Sequence, residues 1–92
     1  EINYRMIKAE IITKINQFLV DEFEVELEKI IADANLRETL DLDSLDYVDL
    51  VVIIESNFGF KVVAEDFINI NTFQDFYNYV DRKVVEKAAT TA

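Results

Sequence analysis

The chain has 92 residues, with nine Lys and Arg against nineteen Asp and Glu for a net charge of −10, one glycine, and no proline, cysteine or histidine. That length supports one domain over residues 1–92 with a single core, burying about 60–65% of the unfolded surface. Without cysteine there is no disulfide framework or thiolate metal site, and without histidine the commonest general base and transition-metal ligand are both missing.

One glycine and no proline favour helices throughout. Residues 3–20 carry the first helical pattern: Tyr4, Ile7, Ile11, Ile15 and Phe18 recur on one side, and Ile12 and Leu19 widen the stripe. Residues 21–36 then read as a long acidic connection holding at most a turn of helix, with Leu36 and Leu40 tucked under the bundle. A second helix is expected from Ser44 to Phe58, because Asp43 is a good N-cap and Gly59 stands where a left-handed residue is wanted. Ala64–Asn69 read as one short helical turn. The last helix starts at Thr72, with Asp75 in the position that completes a capping box. Its inward stripe is Phe73, Phe76, Tyr77, Val80 and Val84; it frays near Lys87, and residues 88–92 form a loose tail, which leaves a core of about residues 4–86. These elements make an all-α bundle of three long helices and one short, with a long loop after the first.

Residues 21–66 hold fourteen acidic residues against three basic ones, so the whole of the net negative charge sits in the middle of the chain. Such a field repels nucleic acid and anionic lipid and draws basic protein surfaces. The longest apolar run, Val51-Val52-Ile53-Ile54, is far short of the ~20 residues a membrane span requires. Glu1-Ile2-Asn3-Tyr4-Arg5 also lacks the layout of a secretory signal. A cytoplasmic monomer with no nucleic-acid or membrane partner is the expectation.

Placed every ~100° around the second helix, its apolar residues fall into two groups. Tyr47, Leu50, Val51, Ile54 and Phe58 form the stripe a core demands, and Leu45, Val48 and Val52 gather nearly opposite, with Asp46, Asp49 and Glu55 around them. Flanking carboxylates argue against full burial, since unpaired buried charge is costly. Exposed apolar residues ringed by acids suit transient docking of a basic, partly apolar partner.

Ser44 occupies the first position of that helix, with its hydroxyl free to point outward. It is a poor nucleophile: there is no histidine to activate it and no Gly-x-Ser-x-Gly elbow. No calcium loop is present either, because Leu45, Asp46 and Val52 stand where an EF-hand opening at Asp41 needs a ligand, a glycine and a glutamate. No catalytic residue and no metal site is assigned. A serine at a helix N-terminus, which favours a linked phosphate, is better suited to modification by another enzyme.

Asp43-Ser44-Leu45-Asp46, Val48-Asp49-Leu50, then Glu55, Phe58, Val62 and the closing Thr72-Phe73 and Asp75 together resemble the acyl carrier proteins, over about residues 7–82. The resemblance implies a four-helix bundle carrying 4′-phosphopantetheine on Ser44, attached from coenzyme A by a phosphopantetheinyl transferase. The thiol of that arm would hold acyl chains as thioesters and present them to the synthase and transferase enzymes of fatty-acid synthesis through basic docking patches. It also implies Asp43, Leu45, Asp46, Val48, Asp49, Val52 and Glu55 as the partner face, in agreement with the second stripe, and Ile54, Phe67, Ile70, Phe76 and Tyr79 as the acyl lining. The chain departs from the family in several places. Asp41 and Leu42 replace a common glycine and small residue, Val63 replaces a common proline, and Phe67 and Phe76 fill positions that are often small. Against the family's pattern, the two phenylalanines would narrow the acyl pocket, or let it form only when side chains rotate. Two alternatives stay open: a specialised carrier of polyketide, aminoacyl or lipid-modification cargo, and an unmodified acidic helical adaptor using the same face.

Overall fold

A computed structural model describes the backbone of residues 8–91, and the side chains within that span except for residues 64 and 88–91. Tyr4, Ile7 and Ala92 lie outside the described residues. Four α-helices follow one another: α1 (Lys8–Phe23), α2 (Leu36–Leu40), α3 (Ser44–Phe58) and α4 (Phe73–Thr91). Short 3-10 helices at Leu27–Lys29 and Ala64–Asn69 fill the connections, and no strand forms among the described residues.

The stripe expected on α1 is the one buried: Ile11, Ile15, Phe18 and Leu19 all enter the core. The helix runs three residues past the expected end, because Phe23 stands four residues after Leu19 and adds its ring to the same side. It stops at Glu24, whose backbone is left-handed at φ 57°.

The connection holds a helix that the sequence pattern does not reveal. Asn35 Oδ1 accepts the Glu38 amide at 2.8 Å, and α2 buries Leu36 and Leu40 one turn apart. Five residues are too few to form a helix alone, so packing and the cap hold this one. Asp41 ends it with φ 55°, a left-handed conformation that aspartate tolerates better than most side chains. Leu42 beside Asp41 is buried.

Helix α3 keeps the expected bounds. Its C-terminal end runs into Gly59 at φ 75°, with the Gly59 amide donating to Glu55 O at 2.9 Å. Lys14 Nζ donates to Asn57 O at 3.3 Å, placing a cation at the negative end of the helix dipole. Phe60 and Val62 then alternate inward with Lys61 and Val63 outward. The turn expected at Ala64–Asn69 is present as 3-10 helix.

α4 packs against α1, where Tyr77 Oη donates to Asn16 Oδ1 at 2.7 Å and Lys8 bonds Asn78. Phe73, Phe76, Tyr77 and Val80 are buried as expected, and Val84 is partly buried against them. The fraying expected near Lys87 does not occur: helical backbone continues to Thr91. Ala88 and Ala89 belong to the best helix-forming residue type, and neither glycine nor proline interrupts the run. The start of α4 is fastened to the connection by an antiparallel bridge between Asn35 and Thr72. Three backbone bonds flank it: Leu36 N to Asn71 O, Phe73 N to Ala34 O and Gln74 N to Ala32 O.

Candidate functional site

Helix α3 opens with a reciprocal capping pair. Asp43 Oδ1 accepts the Asp46 amide at 2.9 Å, and Asp46 Oδ2 accepts the Asp43 amide at 3.1 Å. The carboxylate of Asp46 is therefore already engaged by the backbone, a role that its sequence context as a docking acid does not suggest. The pair fixes the backbone on either side of Ser44, which is the first residue of the helix and exposed. Unpaired helix-terminal amides and the positive dipole end lie next to the hydroxyl, an environment that accommodates an anionic phosphodiester.

The second apolar stripe is solvent-facing: Leu45, Val48 and Val52 are 75, 60 and 56% exposed, against complete burial of Leu50 and Ile54 on the opposite side. Asp43 and Asp49 are exposed beside the stripe. Glu55 differs from them. It is half-buried, and its Oε2 accepts the Val62 amide at 3.0 Å, so it ties the segment after Gly59 back to α3. Among the described residues no group of three or more His, Cys, Asp or Glu could hold a metal ion, and no helix is long and apolar enough to cross a membrane.

An open groove of about 420 Å³ begins at Ser44 and is lined by Tyr47, Val48, Val51, Phe67 and Ile68. It lies between the first turns of α3 and the Ala64–Asn69 helix. Of the five lining positions expected, Phe67 alone reaches this groove. Ile54 and Phe76 are wholly enclosed, Tyr79 nearly so, and Ile70 is half-buried outside the groove, sharing one cleft with Tyr79 and another with Tyr47, Phe67 and Ile68. The ring of Phe67 lies 6.5 Å from Phe76 and 6.4 Å from Tyr79, joining three of the five in one aromatic cluster. Tyr79 Oη donates to Asp66 Oδ2 at 2.6 Å; burial, and then the neighbouring Asp66 carboxylate, raise its pKa well above the usual tyrosine range.

Tyr47, Val51 and Ile68 are groove residues that sequence reasoning missed. Tyr47 and Val51 belong to the helical stripe assigned to the core, and they are half-buried at its edge. No sequence signal singles out Ile68, which lines the groove beside Phe67 and is 73% exposed.

The family model for the phosphopantetheine attachment site matches residues 13–80. The acyl carrier protein of Thermosynechococcus vestitus is 33% identical over 79 residues, covering 86% of this chain and 98% of that protein. The acyl carrier protein of Thermotoga maritima is 35% identical over 77 residues, covering 84% of this chain and 95% of that one. The fold is similar to that of a solved acyl carrier protein from Enterococcus faecalis, with a TM-score of 0.70 at 23% identity over 85% of this chain and 99% of that one. With its capped helix and exposed serine inside the matched span, the chain belongs to the phosphopantetheine-attachment carriers and, among these, to the acyl carrier protein family. Members of that family bear 4′-phosphopantetheine covalently and work with synthase and transferase enzymes.

Proposed function

We propose that this chain carries acyl groups for fatty-acid synthesis on an arm attached to Ser44, and that residues 1–92 act as one carrier domain. The observation that carries the assignment is Ser44 itself: an exposed hydroxyl at the first position of a capped helix, within the span that matches the family, at the head of an apolar groove. When bound, the arm supplies the thiol on which acyl groups ride as thioesters. The chain's own residues do the rest. Asp43 and Asp46 hold the backbone around Ser44, and the groove receives the apolar part of the cargo. Leu45, Val48 and Val52, with Asp43, Asp46, Asp49 and Glu55 around them, meet the basic, partly apolar patches of a phosphopantetheinyl transferase and of acyl-transfer enzymes.

Intact mass before and after incubation with coenzyme A and a promiscuous transferase tests the assignment. Wild type gains one phosphopantetheine, or is isolated with it, and Ser44→Ala gains none while keeping its helical circular dichroism. A Ser44→Ala protein that still gains the arm removes Ser44 from the role; a folded wild type that no transferase modifies favours the unmodified adaptor. The docking face is best tested at Asp49, because charge reversal at Asp46 or Glu55 also breaks a structural hydrogen bond. Asp49→Lys raises the KM of a partner enzyme several-fold at low salt, and the difference shrinks as salt screens the contact. An unchanged KM at low salt removes Asp49 from the contact.

A further inference from the structure

We infer that Phe67 is the stop that limits how much of an acyl chain this protein can enclose. The inference rests on the carrier reading with Ser44 as the anchor. The groove beside Ser44 is mostly apolar, and the Phe67 ring forms part of its wall together with Tyr47, Val48, Val51 and Ile68. Towards α4 the space past that ring is taken, and the cleft on its other side, lined by Asn35, Arg37, Glu38 and Asn71 beside Ile70, is too polar for an alkyl chain. The Phe67 ring packs, tilted, at centroid distances of 5.3 Å from Tyr47, 6.5 Å from Phe76 and 6.4 Å from Tyr79, and Tyr79 in turn meets Phe60 at 6.1 Å. These centroid separations are those of aromatic rings in direct contact, and Phe76 behind them is completely enclosed.

The stop is also held in place. The Ile70 amide donates to Phe67 O at 3.2 Å, closing the 3-10 turn. On the preceding residue, Asp66 accepts the Tyr79 hydroxyl at 2.6 Å, bolting the 3-10 helix to α4 beside the Phe67 ring. An alkyl chain moving inward from the groove must displace a ring that contacts three others, and a flexible chain does not replace those contacts. The groove accordingly encloses the carbons nearest the thioester. The distal part of a long chain stays outside, where a partner enzyme can take it.

Loading settles this. A promiscuous transferase and the acyl-coenzyme A series acetyl, hexanoyl, decanoyl and myristoyl give one acyl form each of wild type, Phe67→Ala and Phe67→Leu, checked by intact mass. For each protein the melting temperature of every acyl form is compared with its own form bearing the free thiol, so any intrinsic loss of stability cancels. In wild type the gain levels off before decanoyl. In Phe67→Ala it keeps rising through myristoyl, by several degrees, and Phe67→Leu falls between. If Phe67→Ala does not fold, Phe67→Leu, which keeps the apolar bulk and loses the ring contacts, carries the comparison alone. Parallel curves in wild type and variants, rising or flat, overturn the inference while leaving the carrier reading standing. A folded wild type that neither bears the arm on isolation nor gains it overturns the carrier reading, and the inference falls with it.

Discussion

Helices α3 and α4 both begin with a reciprocal pair of side-chain-to-backbone hydrogen bonds spanning three residues: Asp43 with Asp46 in one, Thr72 with Asp75 in the other. The residues behind these two caps meet opposite surroundings. The first helical residue of α3 is Ser44, exposed, and that of α4 is Phe73, with no accessible surface at all. The α4 start is also nailed to residues 32–36 by backbone bonds, and Asp75 accepts a second amide, that of Asn71 at 3.0 Å. One local device, set in two tertiary settings, gives an anchor in one place and a presented hydroxyl in the other. A cap sets where a helix begins; what the helix start is for depends on what packs against its first residue.

The sharpest break in that comparison lies at the first helical residues. Phe73→Ala removes a fully enclosed ring and costs about 3–5 kcal/mol, read as a large fall in the denaturant midpoint. Ser44→Ala, by contrast, leaves that midpoint nearly unchanged. Similar midpoints for the two variants would mean that the α4 start is not the anchor described. Next come the caps: Asp43→Ala and Thr72→Ala each cost about 1 kcal/mol, so the melting temperatures of the two fall together. A much larger loss at Thr72 would show that the bridge to Asn35 depends on its side chain as well.

The smallest effect concerns pH. The backbone amides of Thr72 and Asn71 hold the Asp75 carboxyl below the ordinary carboxylate range. A depressed folded-state pKa adds stability above the unfolded value, and that stability is lost as the pH falls through the folded one. On acidification from about pH 5 to about pH 3, the melting temperature of wild type should therefore drop further than that of Asp75→Asn. Equal slopes would show that the two amide bonds do not favour the charged form.

Where local chemistry marks an end of an element, the sequence was readable: α3 runs from the Asp43 cap to Gly59, and α4 begins after the Thr72 cap. The five residues of α2 carry no periodic signal long enough to read, and their helicity comes from burying Leu36 and Leu40. The extension of α1 to Phe23 and of α4 to Thr91 has the same lesson, since helix ends lacking glycine or proline are set by packing and propensity rather than by a stop signal. In the candidate site, the two faces of α3 followed from helical geometry alone. The groove did not, because it exists only where the Ala64–Asn69 helix lies beside Tyr47 and Val51. Nor did the tie between Glu55 and the Val62 amide, which joins two segments that no periodicity relates.

The packing of α1 on α4 also governs how the molecule comes into being. The ribosome makes residues 24–72 after α1 is complete and before the first residue of its partner exists. Synthesis runs at ~5–20 residues per second, and from its emergence until α4 follows, the stripe of Ile11, Ile15 and Leu19 lacks the helix that covers it. The abundant carboxylates of residues 21–66 emerge directly behind that stripe, and their mutual repulsion keeps neighbouring nascent chains apart until α4 arrives to cover it.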